Sequence, residues 1–337
     1  MVSATEVPLD LYIMLDQSGS MSDTVSGGGT KWSAVTGALD AFINQPNLTG
    51  ISAGIQYFAL ASGGGTCSTL SCNTTADCGA SACGPCIANV CTGAIGMAGG
   101  GDSCTASDYA KAEVEIAAFP GVAGQIHSSM GGHSPTTGTP TSAALQGAID
   151  HASAWAHAHS PDAVAVVFAT DGDPSECDTN LTNIDAIAAA GYAGTPKIPT
   201  FVIGVGSSLT NLNGIAAAGG TQQAFLVDTN ANVNAQFLAA MNAIRNSATC
   251  TYTIPLPQSG TPNYQEVNVV FTPNGGTPLT IPNVPDKASC PATGDGWYYD
   301  NNAAPSSIIL CETTCGTVQA DASGTVGITL GCATVIL

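Results

Sequence analysis

Leu9-Asp10-Leu11-Tyr12-Ile13-Met14-Leu15-Asp16-Gln17-Ser18-Gly19-Ser20 is the stretch on which the fold turns. Leu9, Leu11, Ile13 and Leu15 recur at every second position, the period of a β-strand with an apolar face. Asp16, Ser18 and Ser20 follow at once. A strand sends successive side chains to opposite faces, but a loop beyond its end can turn successive polar groups toward one point. Two hydroxyls and one carboxylate gathered there begin a site for a hard cation such as Mg2+, which selects oxygen donors and accepts neutral ones. Alone, an Asp-x-Ser-x-Ser string is weak evidence, because small polar residues crowd many Gly-rich turns.

Two further polar clusters lie at element boundaries. Gly138-Thr139-Pro140-Thr141 precedes a helical pattern, and Thr170-Asp171-Gly172 ends the apolar run Val164, Val166, Val167, Phe168. With these three clusters in this order the chain resembles the von Willebrand factor type A (vWA) domain, of the secreted bacterial kind with a Cys-rich insertion and a C-terminal β-module. The resemblance covers residues 6–248. It implies an α/β fold with a doubly wound, mostly parallel six-stranded sheet of Rossmann-like build, and a metal-ion-dependent adhesion site made of Asp16, Ser18, Ser20, Thr139 and Asp171. It also implies Mg2+ as the metal, with Mn2+ or Ca2+ as alternatives, and a coordination position left for an Asp or Glu carboxylate of a partner protein.

The donor chemistry is coherent with that reading. Ser18, Ser20 and Thr139 bring no charge, so the cation stays electrophilic toward an incoming carboxylate, while Asp16 and Asp171 supply the charge that holds it. In open α/β sheets, ligands bind outside the carboxyl ends of the strands where the winding reverses. With the family's strand order, that crevice lies between the strands ending at Leu15 and Thr170, so Asp16 and Asp171 face each other across it.

The alternation of elements extends the pattern. Strands are expected at 9–15, 51–60, 164–169, 200–205 and 224–227, with 113–119 as the antiparallel edge strand that the resemblance implies. Helices are expected at 31–43, 141–159, 181–190, 209–218 and 233–246. Leu145, Ala148, Ile149, Ala152, Trp155 and Ala156 share one helical face. From residue 249 to 337 short alternating runs separated by turn signals read as a small all-β domain, with strands at 251–255, 267–271, 278–281, 297–299, 308–310 and 326–329. This tail is expected to be poor in apolar residues.

Thirteen cysteines in a chain with few charges point to an oxidising compartment and a secreted or cell-surface protein. Cys67, Cys72, Cys78, Cys83, Cys86, Cys91 and Cys104 fall in residues 62–108, a Gly- and Ser-rich insertion in the first domain with almost no core of its own, held by disulfides. Cys83-Gly84-Pro85-Cys86 has zinc-ligand spacing, but it is a single pair without a neighbouring His, which disfavours zinc. Cys250, Cys290, Cys311, Cys315 and Cys332 staple the tail. Cys177, six positions beyond Asp171 on the same rim, is a candidate partner for an insertion cysteine; that makes eight there and leaves the odd cysteine in the tail. A thiol left over is free, ligand-bound or paired between chains.

Five Lys and Arg against 24 Asp and Glu give a net charge of −19, and the five bases are scattered, which excludes nucleic acid as a partner and disfavours anionic membranes. Residues 1–8 have neither the basic nor the apolar region of a signal peptide, so the expectation is a trimmed start, and no apolar run reaches transmembrane length. No G-x-S-x-G, H-E-x-x-H or P-loop string occurs, and an enzyme is not expected. The reading is an extracellular or surface adhesion module. The alternative is a structural subunit of an extracellular assembly that self-associates through the β domain and the odd cysteine. Asp171, Asp173, Glu176 and Asp178 read as a solvated acidic loop, and His133 is the histidine nearest the proposed site.

Overall fold

The computed structural model describes residues 2–3, 7–46, 48, 50–60, 86–87, 90–91, 102–135, 138–160, 162–254, 263–321, 324–330, 334 and 336. Its centre is a six-stranded sheet in the order Val114–Ala118, Ile51–Phe58, Leu9–Asp16, Ala163–Thr170, Thr200–Val205, Phe225–Val227. Five of these strands are parallel; Val114–Ala118 pairs antiparallel with Ile51–Phe58, at the edge. This is the expected α/β architecture, with each expected strand in place to within a few residues.

The opening strand is buried along its whole length rather than on one face. Leu9, Leu11, Ile13 and Leu15 pack with Val35, Leu39 and Phe42 of helix Lys31–Ile43 and with Phe237, Met241 and Ile244 of helix Val233–Thr249. Tyr12 and Met14 serve the opposite layer, where Leu145, Ala148 and Ala152 of helix Thr141–Ala158, Ile184 of helix Leu181–Ala193 and Leu212 of helix Leu212–Ala218 meet Val166 and Phe168. A strand central in a parallel sheet is covered on both faces, so the intervening positions must be apolar too. Asp10 is the exception, and its carboxylate accepts the Trp155 indole N–H at 2.6 Å.

Helix Ala123–Gly132 was not expected from sequence. Ala123, Ile126 and Met130 form its buried face, and only two of them are large apolar residues, set among Gly and Ser.

The tail forms two antiparallel sheets. Thr251–Thr253, Ser307–Leu310 and Trp297–Tyr299 make one; Thr325–Leu330, Val267–Thr272 and Leu279–Ile281 make the other, joined by Val2–Ser3 from the start of the chain. One helix, Glu312–Ala320, accompanies the expected strands. The expectation of a tail poor in apolar residues is corrected: Tyr252, Val267, Val269, Phe271, Trp297, Ile308, Leu310 and Ile328 form a buried core of its own. Two disulfides, Cys250–Cys315 and Cys290–Cys311, cross it. Cys104–Cys177 joins the end of the insertion to the loop after Asp171, the kind of pair expected for Cys177. Cys86 and Cys91 face each other in a two-residue ladder, while Cys67, Cys72, Cys78, Cys83 and Cys332 lie outside the described residues.

Candidate metal site

Asp16 is the last residue of its strand and is fully buried. Its Oδ1 accepts the Ser18 amide at 2.7 Å, and its Oδ2 accepts the Thr170 hydroxyl at 2.6 Å and, more distantly, the Asp171 amide at 3.4 Å. The first of these folds the chain back over the strand end, and residues 19–22 then continue as a single 3-10 turn. The fold-back brings Ser18 Oγ and Ser20 Oγ within 3.1 Å of each other. Both hydroxyls point at Asp171, where Ser20 Oγ donates to Oδ1 at 2.8 Å and Ser18 Oγ lies 3.4 Å from the same atom.

Thr139 comes from the third loop. A Cβ placed on Gly172 would stand 3.8 Å from Thr139 Oγ1 and 3.9 Å from Ser20 Oγ, so both hydroxyls border Gly172. The loop is pinned by its backbone: the Thr139 amide donates to Ser175 Oγ at 2.9 Å, and the Ser175 amide returns a bond to the Thr139 carbonyl at 3.1 Å. All five residues expected at the site therefore meet at one end of the sheet, beyond the carboxyl ends of the Leu9–Asp16 and Ala163–Thr170 strands.

Two residues that sequence reasoning left unassigned belong to the cluster. Thr170 holds Asp16 from beneath. Lys31, grouped above with the scattered bases, places its ammonium 2.8 Å from Asp171 Oδ2 and 3.1 Å from Asp23 Oδ2. The signal was position: Lys31 opens the helix that follows the Ser18–Ser20 turn, and the Thr30 capping box fixes where that helix begins. Burial pushes the Asp16 carboxyl up to about 7, and Asp171 adds to the rise, while the bonds from Thr170 and Ser18 hold it down. Lys31 pairs with Asp171 and Asp23, and among the described residues no ion pair reaches Asp16.

The donor set fits a hard cation. Two carboxylates and three hydroxyls offer oxygen only, and among the described residues no group of three His, Cys, Asp or Glu forms a softer site. The remaining acidic side chains go separate ways. Asp173 accepts from Asn211 at 2.6 Å, Asp178 accepts from the Asn180 amide and the Asn183 side chain, and Glu176 accepts the Asp102 amide at 3.1 Å. His133 stacks on Tyr57, stands 2.8 Å from Gln17 Oε1 and lies 3.8 Å from Glu113 Oε1, so it meets Gln17, the residue between Asp16 and Ser18, rather than the donors themselves.

The fold is vWA-like. No protein-family profile and no curated protein matches the sequence. Similar solved structures include proximal thread matrix protein 1 from the mussel byssus, at 12% identity over 75% of this chain and 50% of that one, with a TM-score of 0.42. One structure of that mussel protein has a zinc-occupied MIDAS motif. The SpRpn10 VWA domain aligns at 9% identity over 69% of this chain and 94% of its own, with a TM-score of 0.39. The pilus adhesin SpaC from Lactobacillus rhamnosus GG aligns at 12% identity over 99% of this chain and 39% of its own, with a TM-score of 0.44. The chain thus spans about half the length of the mussel protein, and similarity at this level says nothing of function.

Proposed function

We propose that this protein is a non-enzymatic extracellular binding module that captures a carboxylate of a partner protein through a divalent cation, Mg2+ above all. The observation that supports it most directly is the convergence of Ser18 and Ser20 on Asp171 over the buried Asp16. Asp16 orients the turn through the Ser18 amide, and Thr170 fixes its second oxygen. Asp16, Ser18, Ser20, Thr139 and Asp171 would be the groups that hold the metal, and the bound metal would supply an electrophilic centre for an Asp or Glu side chain. Neutral hydroxyl donors leave more of the cation's charge for that incoming group than carboxylates would. Disulfides in both the vWA-like part and the tail accord with an oxidising, extracellular setting. Among the described residues, no helix is long and apolar enough to cross a membrane.

The test is a pull-down from extracellular material in Mg2+ and in EDTA. Partner recovery is expected in Mg2+ and loss to background in EDTA; equal recovery in both would remove the metal from the account.

Self-association through the tail is the second reading. Among the described residues the Leu279–Ile281 strand pairs with one neighbour, Val267–Thr272, and Leu279 is 49% exposed there. An apolar sheet edge is a template for pairing with another chain. Sedimentation at rising concentration, with and without reductant, is expected to show dimers that weaken in Leu279→Lys; a monomer under every condition would dismiss this reading.

A further inference from the structure

The Gly138–Thr139 loop does not hold itself in place. The Gly138 amide donates to Asp102 Oδ2 at 2.6 Å, and Asp102 is a buried carboxyl from the far end of the insertion. Asp102 is in turn tied to the loop after Asp171, since its own amide donates to Glu176 Oε2 at 3.1 Å. The two carboxyl groups close on Gly138 so tightly that a Cβ there would lie 2.5 Å from Glu176 Oε1 and 2.9 Å from Asp102 Oδ2. On the other side, Ser175 exchanges two hydrogen bonds with Thr139. Segments 102–104 and 175–177 therefore grip the loop that carries Thr139.

The grip is itself anchored. Cys104 and Cys177, two residues past Asp102 and one past Glu176, are bonded across a sequence separation of 73. Cys177 sits at φ +64°, a left-handed conformation that a non-glycine residue adopts at a cost and keeps only when its surroundings impose it. Between the two cysteines' partners, the Ser103 amide donates to the Leu60 carbonyl at 2.8 Å, and the Ser103 carbonyl accepts the Tyr109 hydroxyl at 2.7 Å. These bonds tie the end of the insertion to Leu60, two residues past the Ile51–Phe58 strand, and to Tyr109 of the short helix Ala106–Tyr109.

We propose that Asp102 is a positioning residue for the metal site: its carboxylate, held by the Cys104–Cys177 disulfide, seats the Gly138–Thr139 loop and so sets the affinity for the cation. The insertion then acts on the site from its root, whatever the rest of it contacts. This rests on the proposed metal-binding function for its second half, and the seating of the loop stands apart from it.

The experiment has two readouts on the full chain. Amide hydrogen exchange at Gly138 and Thr139 reports the seat without any metal, and calorimetric titration with Mg2+ and Mn2+ reports the site. Asp102→Ala removes the acceptor; Asp102→Asn keeps a carbonyl oxygen in the same place; Cys104→Ser with Cys177→Ser removes the anchor. A hydrogen bond to a charged group is worth enough that Asp102→Ala should speed Gly138 exchange and weaken cation binding by about tenfold each. Asp102→Asn should restore most of both, and the double serine variant should fall between. Unchanged Gly138 exchange in Asp102→Ala would overturn the seat, as would an Asp102→Asn protein as impaired as the alanine variant. If Asp102→Ala does not fold, the comparison of Asp102→Asn and the double serine variant with wild type decides, and Gly138 exchange unchanged in the double serine variant would overturn the anchored seat. A wild-type protein that binds neither cation would defeat the proposed function, and the exchange data would still decide whether Asp102 seats the loop.

Discussion

Asp171→Ala is expected to abolish Mg2+ and Mn2+ binding, a loss of more than about 100-fold, equivalent to ~2.7 kcal/mol or more. Asp171 is the point on which the site converges: Ser18 and Ser20 both aim at its Oδ1, and Lys31 compensates its Oδ2. Removing it leaves Asp16 as the one carboxylate in the donor set and frees both serine hydroxyls from the orientation it imposes. The fold should survive. Asp171 lies just past the end of the Ala163–Thr170 strand, outside both apolar layers of the sheet, and Lys31 keeps Asp23 as a partner at the surface. The lost hydrogen bonds cost about 1.5–3 kcal/mol each, and removing a like charge from beside the buried Asp16 offsets part of that. Asp173→Ala is the control: two positions away, its carboxylate bonds Asn211 and no member of the donor set. Calorimetric titration checks the affinity and near-ultraviolet circular dichroism the fold. Metal affinity equal to wild type in Asp171→Ala would end the assignment.

The strands and the donor residues could be read in the sequence because both are local signals. A period-two apolar run marks Leu9–Asp16 and a continuous apolar run marks Thr200–Val205, and the polar residues that end the strands mark the loops. What escaped depends on contacts between distant segments. Lys31 is 140 residues from Asp171, and its place at the start of the helix after the Ser18–Ser20 turn becomes a site position only once the strand order brings the two loops together. Thr170 was visible as part of a polar cluster, but its bond to Asp16 spans 154 positions. The Asp102–Gly138 bond joins the insertion to a loop that reads, in sequence, as unrelated to it. Helix Ala123–Gly132 was missed for another reason: its apolar stripe of Ala123, Ile126 and Met130 holds only two large side chains, below what periodicity can separate from a loop. The tail's strands were found from their turns, whereas the extent of its core was not, because short strands give each sheet only a few inward positions and the core gathers residues of both sheets.

Cys250→Ala with Cys315→Ala is expected to lower the tail's stability by about 4 kcal/mol, the loop-closure value for a bond of this span. The two cysteines are 65 residues apart and both are buried in the tail core. Cys250 ends helix Val233–Thr249 and leads into the Thr251–Thr253 strand, while Cys315 lies in helix Glu312–Ala320, so the bond ties the last helix of the vWA-like part to the tail. Breaking Cys290–Cys311, whose separation is 21, should cost less, about 3 kcal/mol, because a shorter loop restrains the unfolded chain less. The tail should loosen without collapsing altogether, since Trp297 stays fully buried and its indole N–H remains bonded to the Ile281 carbonyl. The central sheet draws on its own two apolar layers and should not follow. Urea denaturation read alongside limited proteolysis separates the two parts: early cleavage within residues 263–321, with cation affinity kept, is the expected result. Cleavage appearing first in the central sheet, or a tail no less stable than in wild type, would show that this disulfide does not hold the tail in place.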